Sequence, residues 1–394
     1  MQPLKGITVL DITTMLNGPF CSMLLGEMGA NVIKIEPPDG DPWRVMGAGF
    51  AGVNRGKRSI IVDLKKEAGK QIVHEMVAKA DILVENARWG VLHRLGMDYE
   101  TVEKIKPDII YLSILGYGPT GPLSSLPGYD PLLQSRSGQS VSQGGLGKPP
   151  VFHIVAINDM AGPMLGAYGI ALALLAHRKT GKGQNIKTSL ANAAAAMQAH
   201  QFMNYEGVEY QDKGGIDLLD HNATHRYYKT MDKKWLLILC PNAGHWQHLC
   251  GELGLDELIT DPRFKTTEDR LKNDDALVEI LAGAFATRNI AEWMAVLPQA
   301  DVPAATGNLF PESQKDAHFQ ENKIFDEREH PEFGQVMQVG IMPRFSEITP
   351  VIQFHAPSFG EHTEEVLLEM GYPAVQISEW IESGVVRLQP KPID

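Results

Sequence analysis

Near its start the chain reads ITVLDITTMLNGPFCSMLLGEMGANVIKI, residues 7–35. The apolar run at 7–11 predicts a buried strand, and the Asn-Gly-Pro sequence at 17–19 predicts a break after it. Residues 20–28 then predict a helix, and residues 31–35 predict a second strand. A strand, a helix and a strand in so short a stretch indicate the βαβ unit of a parallel sheet.

The same alternation continues along the first half of the chain. Short apolar runs at 59–62, 82–84 and 109–114 predict further strands, and residues 68–80 predict a helix between two of them. This pattern predicts the α/β class, with a Rossmann-like large domain. The turn after the first strand lacks the GxGxxG pattern of dinucleotide-binding sheets, so the sequence does not favour an NAD enzyme.

A change of pattern divides the rest of the chain. Residues 1–210 are expected to hold the N-terminal part of the large domain, and a Gly- and Asp-rich linker follows at 210–222. A strand predicted at 235–240 opens a mostly helical stretch, so we place a smaller α+β domain at 223–310. Residues 330–394 contain strand-like and turn-rich sequence and a further predicted helix.

The composition is that of an ordinary globular protein. The chain has 394 residues, of which 43% are hydrophobic and 21% charged, and its formal net charge is −12. The negative charge argues against a nucleic-acid partner or an anionic membrane surface. The longest apolar stretch, at 160–176, is short and rich in small residues, so we expect no membrane span.

The first residues and the cysteines favour a cytoplasmic location. Residues 1–6 lead into the first predicted strand without the apolar segment of a secretion signal. Cys21, Cys240 and Cys250 show neither CxxC nor Cys/His metal spacing. We therefore expect reduced, buried thiols and no metal site.

One aspartate stands at the start of a long apolar segment. Ile157-Asn158-Asp159-Met160 runs into a helix predicted at 160–178, which a strand at 187–190 and a helix at 191–205 follow. Asp is a preferred N-cap residue, because its side chain accepts hydrogen bonds from the free N–H groups of the first turn. The helix dipole would keep this carboxylate ionised, and an ionised carboxylate beside a pocket is a nucleophile. The sequence alone leaves both roles open for Asp159.

A second stretch concentrates positive charge. Residues 54–70 contain six basic and two acidic side chains in a chain that is acidic as a whole. Arg88 and Arg94 follow after the next predicted strand. Such a segment is typical of a site for a phosphorylated ligand, but a solvated charged face has the same composition.

Eight short motifs follow one another along the chain. They are GITVLD at 6–11, NGP at 17–19, GANVIKIE at 29–36, NRGKRS at 54–59, ADILVEN at 80–86, TGP at 120–122, KTGKGQ at 179–184 and GEHT at 360–363. Together and in this order they resemble the class III coenzyme A transferases, the CaiB/BaiF family. Each motif alone is weak evidence, but the series spans nearly the whole sequence and is highly specific.

The resemblance implies a fold and an assembly. In this family the large domain combines the N-terminal half with the C-terminal tail, so residues 330–394 are expected to return to it, and the small domain lies between. Two chains interlock like links, and each active site lies between the large domain of one chain and the small domain of the other. We therefore expect an interlocked homodimer, or a heteromer with a paralogue.

The resemblance also implies an activity. Family members move CoA from an acyl-CoA thioester to a free carboxylic acid, and Asp159 matches their nucleophilic aspartate. The carboxylate attacks the thioester to give an acyl–aspartyl anhydride, and the CoA thiolate then forms an aspartyl-CoA thioester. The expected partners are an acyl-CoA and a small organic acid, with no permanently bound cofactor. We hypothesise a succinyl-CoA-type donor.

The resemblance carries the family's CoA contacts over, position by position. These are Leu16, Asn17, Val62, Asp63, Leu64, Lys65, Asn86, Ala87, Arg88, Arg94, Tyr129 and Asp130. His221 and Arg226 are candidates for binding the acceptor's carboxylate, although polar surface residues would have the same sequence pattern. Pro37 stands where some members have a basic residue on the adenine side, a contact that is either missing or supplied by Arg44.

Other functions within the family remain open. The related α-methylacyl-CoA racemases have a histidine where this chain has Tyr129, and an acidic residue near Asn242. A tyrosine, whose ordinary pKa is about 10, and an asparagine are poor bases at neutral pH, so the sequence favours a transferase. A non-catalytic CoA-binding subunit of a hetero-oligomer is the other alternative. Oxalate-using members carry a multi-glycine loop, and the short Gly214-Gly215 in this chain argues against formyl-CoA:oxalate transfer.

Overall fold

The computed structural model describes residues 1–145, 147–208 and 222–388. These residues form two compact units. The first unit consists of the described residues of Met1–Ser137, His153–Met203 and Asn322–Asp394, and the second of those of Gly138–Phe152 and Asn204–Glu321. The second unit therefore includes a short segment that precedes the small domain predicted at 223–310.

A seven-stranded sheet forms the centre of the first unit. Its strands are β1 (Thr8–Ile12), β2 (Asn31–Glu36), β3 (Lys57–Val62), β4 (Ile82–Glu85), β5 (Ile110–Leu115), β6 (Gln184–Ser189) and β12 (Val386–Arg387). They lie in the order β12-β3-β2-β1-β4-β5-β6, and every pair is parallel except the antiparallel pair of β12 with β3. The predicted α/β class with a large parallel sheet is confirmed.

Helices cover both faces of this sheet. They are α1 (Asn17–Glu27), α2 (Ala48–Asn54), α3 (Glu67–Lys79), α4 (Val91–Leu95), α5 (Tyr99–Ile105), α6 (Asp130–Arg136), α8 (Ile157–Thr180), α9 (Leu190–Met197), α16 (Thr363–Glu369) and α17 (Ala374–Glu382). A 3₁₀ helix spans Pro42–Met46, and the antiparallel strands β10 (Phe325–His330) and β11 (Gly334–Val339) form a separate hairpin.

The strands are apolar at successive positions because both faces of the sheet are buried. In β1, Leu10 packs into the core on the side of α3, whereas Val9 packs into the core on the side of α8. In β4, Leu83 packs into the core on the side of α3, and Val84 packs into the core on the side of α8. A parallel sheet covered on both faces requires such continuous apolar runs, which is why the sequence revealed these strands.

The second unit has its own core and a small antiparallel sheet. Its strands are β7 (His225–Lys229), β8 (Trp235–Leu239) and β9 (Ala304–Thr306). Its helices are α7 (Gln139–Gly144), α10 (Ala243–Leu253), α11 (Thr267–Lys272), α12 (Asp274–Phe285), α13 (Ile290–Val296), α14 (Phe310–Ser313) and α15 (Ala317–Glu321), with a 3₁₀ helix at Asp256–Ile259. Trp246, Phe264, Phe285 and Trp293 are buried in that core.

The region around α8 differs from the sequence prediction. The helix runs from Ile157 to Thr180, longer at both ends than predicted, and ends at Gly181, whose φ of 67° is accessible to glycine at little cost. Gln184–Ser189 forms the strand that was predicted at 187–190, because Ser189 already caps α9 through the N–H of Asn192. The helix predicted as far as residue 205 ends at Met197.

The length of α8 also bears on the expectation that no segment spans a membrane. With 24 residues, the helix is long and apolar enough to cross one, so the argument from shortness was wrong. The helix nevertheless packs on β5 and β6 in the first unit, and its buried positions include Gly162, Pro163 and Gly166. A core helix of a globular protein meets the same length and composition test.

Candidate active site

The strand order reverses between β1 and β4, and in such sheets ligands bind in the crevice at the carboxyl ends of the strands beside that point. Asn86, directly after β4, connects the two sides of this crevice. Its Oδ1 accepts a hydrogen bond from the N–H of Thr14 at 3.0 Å, and its Nδ2 donates to the Thr14 carbonyl at 2.8 Å. Nδ2 also donates to Oδ1 of Asn17 at 2.7 Å. Asn86 thus fixes the turn after β1.

Asn17 extends this network to Asp159. The Oδ1 atom of Asn17 accepts hydrogen bonds from Asn86 and, at 2.6 Å, from the N–H of Gly18. The amide nitrogen therefore faces the other way, and it donates to Oδ1 of Asp159 at 3.2 Å. One carboxylate oxygen of Asp159 is held in this way beside the crevice.

Asp130 performs the capping role that the sequence suggested for Asp159. The N-cap residue of α8 is Ala156, which has no capping side chain, and Asp159 lies in the first turn. Oδ2 of Asp130 accepts the N–H groups of Asn158 at 2.7 Å and of Asp159 at 3.1 Å. Of the two roles that the sequence left open for Asp159, helix capping is therefore not observed, because a buried carboxylate from another helix satisfies those N–H groups.

Asp130 is itself held in place by Gln134, one turn further along α6. The Gln134 amide nitrogen donates to Oδ1 of Asp130, and its two polar atoms pair with the backbone of His153 at 2.9 and 3.1 Å. His153 lies shortly before α8, so α6 and the start of α8 are joined by side-chain bonds as well as by the cap. Gln134 was missed from the sequence, although its i+4 spacing from Asp130 is a recognisable helical pair.

Two glycines bring Asp130 into this position. A Cβ added to Gly116, just after β5, would lie 2.6 Å from Cα of Gly128. The backbone of the Pro127–Asp130 segment therefore crosses the end of β5 at a distance that no side chain permits. This explains why the segment carries a glycine immediately before Tyr129 and Asp130.

The electrostatic environment of Asp159 differs from the expectation. Burial, together with the negative charge of Asp130, raises the pKa of Asp159 to about 7, although the hydrogen bond from Asn17 lowers it. The expected permanently ionised carboxylate is therefore wrong at neutral pH, where the group is close to half protonated. A carboxylate with this pKa is a stronger base and nucleophile than an exposed one, and burial in a cleft is typical of functional acids.

The basic segment at 54–70 is neither a solvated face nor, for the most part, a phosphate site. Arg55 forms a buried salt bridge with Glu27 at 2.6 Å. Arg58, itself buried, pairs with the exposed carboxylate of Glu369 at 2.8 Å. Lys57 is fully buried. Three of the six basic side chains are thus buried in the first unit.

Two buried lysines support the turn that carries Asn17. Lys57 Nζ forms a salt bridge with Asp11 at 2.9 Å and donates to the carbonyl of Pro19 at 2.7 Å. Lys34 Nζ donates to the carbonyl of Thr13 at 2.8 Å. The carbonyls at both ends of the turn are therefore held by ammonium groups. Burial lowers the pKa of Lys57 to about 8, which leaves it charged at neutral pH.

A cavity of about 510 Å³ adjoins this turn at the carboxyl ends of β1 to β4. Of the residues that the resemblance assigns to CoA, the cavity is lined by Val62, Asp63, Leu64, Lys65, Asn86, Ala87 and Arg88. Asn86 also bonds Asn17, and Arg88 donates to the hydroxyl of Tyr129 at 3.1 Å. The cavity and the carboxylate network therefore form one continuous region of the first unit.

Some residues assigned to CoA lie outside the cavity. Arg94 is exposed and does not line it, and Leu16 is the N-cap residue of α1. Pro37 does line the cavity. Arg44, considered as its replacement, does not, because its guanidinium pairs with both carboxylate oxygens of Glu36 at 2.6 and 2.8 Å.

The two acceptor candidates and the racemase position lie elsewhere. His221 falls outside the described residues. Arg226 is on β7 of the second unit, with its guanidinium 5.7 Å from the centre of the Tyr228 ring. Asn242 caps α10, since its side chain accepts the N–H of His245 at 3.0 Å. The amide side chain of Asn242 caps a helix and cannot act as the base that a racemase needs.

No metal site is found among residues 1–145, 147–208 and 222–388, where no three His, Cys, Asp or Glu side chains cluster suitably. His245 and His248 both lie near Asp301, at 3.8 and 3.9 Å. The three cysteines are buried and free, and burial raises the pKa of each thiol, which makes them poor nucleophiles.

The chain is similar to known proteins along most of its length. Residues 4–363 match the family model described as CoA-transferase family III. The chain is 39% identical to an acetyl-CoA:oxalate CoA-transferase of Acetobacter aceti over 76% of this chain and 79% of that protein. It is 34% identical to a succinyl-CoA:glutarate CoA-transferase of Mus musculus over 98% of this chain and 91% of that protein.

A solved structure is similar as well. The crystal structure of a CAIB/BAIF family protein from Brucella suis superposes with a TM-score of 0.87 at 31% sequence identity. The match covers 94% of this chain and 99% of that one.

Proposed function

Since the chain belongs to CoA-transferase family III and is an acyl-CoA:carboxylate CoA-transferase, we propose that Asp159 is its nucleophile and that a dicarboxylic acid is its acceptor. The observation that carries the assignment is the hydrogen bond from Asn17 to Asp159, in a network continuous with the lining of the cavity. Asp159 does not cap α8, so the hydrogen bond from Asn17 holds its carboxylate for another role.

The proposed reaction proceeds by four acyl transfers. The Asp159 carboxylate attacks the carbonyl carbon of the donor thioester, the C–S bond breaks, and an acyl–aspartyl anhydride and CoA thiolate form. The thiolate attacks the aspartyl carbonyl, which releases the donor acid as a carboxylate and leaves an aspartyl-CoA thioester. The acceptor carboxylate attacks that thioester, and the released thiolate then attacks the acceptor's acyl carbon. The new acyl-CoA leaves and the Asp159 carboxylate is restored, with no net change in protons.

The surrounding residues have defined roles in this scheme. The Asn17 amide holds the attacking carboxylate and is placed to donate to the oxyanion that develops on it. Asp130 fixes the first turn of α8 and, through its charge, makes the Asp159 carboxylate more basic. Asn86 keeps Asn17 in the required orientation.

The acceptor is proposed from the relatives, which include transferases for oxalate and for glutarate. Both acids are dicarboxylates. The argument against oxalate rested on Gly214-Gly215, which lie outside the described residues. The similarity to a relative named for oxalate does not support that argument. Oxalate therefore belongs among the candidates, and succinyl-CoA is the proposed donor.

A substrate panel tests this proposal. Succinyl-CoA and acetyl-CoA are each incubated with oxalate, glutarate and a monocarboxylate such as butyrate, and acetyl-CoA also with succinate. The new thioesters are separated by chromatography. We expect the largest kcat/KM for succinyl-CoA with a dicarboxylate. Preference for butyrate would contradict the acceptor class. Rapid deuterium exchange at the α-carbon of a 2-methylacyl-CoA, without transfer, would favour the racemase alternative.

The pH dependence provides a further prediction. Attack requires ionised Asp159, whose pKa is raised to about 7, so kcat/KM should fall about tenfold per pH unit below pH 7. Asp130→Asn removes the neighbouring negative charge, so the fall in kcat/KM at low pH should begin about one pH unit lower than in the unmodified enzyme. Rates measured from pH 5 to 9 check both. A kcat/KM that stays constant from pH 7 down to pH 5 in the unmodified enzyme would contradict the assigned environment of Asp159.

The proposed assembly is an interlocked homodimer, with a heteromer as the alternative. Support comes from α8, where Met164, Tyr168, Leu172 and Leu175 form an exposed apolar stripe along one face. An exposed apolar face of this kind is typical of a subunit interface. Native mass spectrometry is expected to give the mass of two chains. A monomer that is fully active at nanomolar concentration would contradict the proposal.

We also propose that the enzyme is cytoplasmic and holds CoA as substrate, not as a resident cofactor. The three free, buried thiols are those of a reducing compartment. Cell fractionation with activity measurement tests the location, and activity concentrated in the membrane pellet would argue against it.

A further inference from the structure

Three cationic side chains line the cavity, and they come from distant parts of the chain. They are Lys65, after β3, Arg88, after β4, and Arg387, on β12. Throughout the described ranges 1–145, 147–208 and 222–388, none of the three pairs with a carboxylate within salt-bridge distance. Uncompensated cations around a cavity are the signature of a site for an anionic ligand.

Arg387 differs from the other two because sequence comparison with the family did not suggest it. Its backbone pairs with Ile61 near the carboxyl end of β3. Arg387 lines the cavity together with Val62 and Leu64. The Nε atom of Arg387 is buried and has no hydrogen-bond partner within the described part of the chain. An N–H group that is buried without a partner is destabilising, so the Nε atom of Arg387 is suited to donate to a bound acceptor.

A further cation, Lys66, lies beside Arg387. A Cβ added to Gly384 would lie 3.4 Å from Nζ of Lys66 and 3.6 Å from Nη2 of Arg387, so both groups border the same glycine. Three carboxylates also line the cavity, those of Glu36, Asp39 and Asp63. Glu36 is neutralised by Arg44, and Asp63 accepts the N–H of Lys65 at 2.9 Å.

We propose that Arg387 binds a phosphate group of the nucleotide end of CoA. This rests on the proposed CoA-transferase site and adds to it a residue supplied by the last strand of the sheet. CoA carries a diphosphate and a ribose phosphate, and a guanidinium can bind a phosphate through two parallel hydrogen bonds. Arg387 thereby supplies the positive charge that is absent at Pro37, which lines the same cavity.

Binding of CoA measured by calorimetry tests the proposal without relying on turnover. Arg387→Gln is expected to raise the Kd for CoA about tenfold and to leave the Kd for pantetheine, which lacks the nucleotide, within about twofold. Arg387→Lys keeps the positive charge but cannot form two parallel hydrogen bonds to one phosphate. Its Kd for CoA should therefore lie between those of the unmodified protein and of Arg387→Gln. Arg344→Gln, the same change at an exposed arginine outside the cavity, is the matched control.

The outcomes separate this proposal from the proposed function. If Arg387→Gln binds CoA as tightly as the unmodified protein does, the assignment of Arg387 fails while the transferase mechanism stands. If it weakens pantetheine and CoA equally, Arg387 supports the fold and does not bind phosphate. If the unmodified protein binds CoA but transfers it to no acid, the proposed reaction fails. The phosphate contact is then still tested by the effect of Arg387→Gln on the Kd for CoA and on the Kd for pantetheine.

Discussion

Replacing Asp159 by alanine is expected to lower kcat/KM by at least about 10⁴-fold, because the substitution removes the carboxyl group on which both proposed covalent intermediates form. Binding of CoA should change little, since Asp159 does not line the cavity. Mass spectrometry of the unmodified enzyme, quenched after mixing with succinyl-CoA, should show succinyl or CoA adducts on the peptide that contains Asp159. The variant should show neither.

The isosteric variant Asp159→Asn provides the control for this experiment. It keeps the shape of the side chain and an oxygen that can accept the hydrogen bond from Asn17, but it is a poor nucleophile. It should therefore be as inactive as the alanine variant. Full transfer activity in either variant, or an adduct located on another peptide, would contradict the assignment of the nucleophile.

The same variant should be more stable than the unmodified protein, in a pH-dependent way. Asp159 binds its proton more tightly in the folded state, with a pKa of about 7, than at its ordinary value of 3.8. Ionisation therefore costs stability, and the cost grows as pH rises from about 4 to 7. Asp159→Asn lacks that cost, so its free energy of unfolding should exceed that of the unmodified protein at pH 8, by on the order of 4 kcal/mol, and match it near pH 4.

Replacing Lys57 by methionine is expected to lower the free energy of unfolding by about 3–5 kcal/mol, because Asp11 would remain buried with its main counter-ion removed. The carbonyl of Pro19 and the side chain of Asn54 would also lose a donor. Urea denaturation followed by circular dichroism measures the change. The loss should reach the active site too, since the same lysine holds the end of the turn that carries Asn17.

Two comparisons make this result interpretable. Lys70→Met removes a lysine whose partner, Glu67, is exposed, and should change stability by less than about 0.5 kcal/mol. The double variant Lys57→Met, Asp11→Leu removes both buried charges, and should recover part of the loss. Equal effects at Lys57 and Lys70 would show that the buried pair contributes no more than a surface pair.

The sequence revealed those features that depend on neighbours along the chain. The strands β1 to β5 were predicted because each is a continuous apolar run, and a sheet covered on both faces demands such runs. Asp159 was found because the start of a helix has a recognisable composition. The resemblance to the family added the cavity-lining residues Lys65, Asn86 and Arg88, which no periodicity indicates.

Features that depend on contacts across the fold were beyond prediction. Nothing near Asp159 in the sequence shows that Asp130 would cap its helix and raise its pKa, because the two are 29 positions apart and meet only after α6 and α8 have packed. The basic segment was misread for the same reason. The carboxylates that neutralise Arg55 and Arg58 lie on α1 and α16, far away in the chain.

The position of β12 at the edge of the large sheet has a consequence for how the protein is made. During synthesis β3 leaves the ribosome more than 300 residues before β12, its partner on that edge. At about 5–20 residues per second, the hydrogen-bonding edge of β3 stays unpaired for on the order of 20–60 s. Open strand edges are where nascent chains associate wrongly. We therefore expect the nascent enzyme to expose the end of β3 at Ile61 and Val62 to wrong pairing until Val386 and Arg387 are translated.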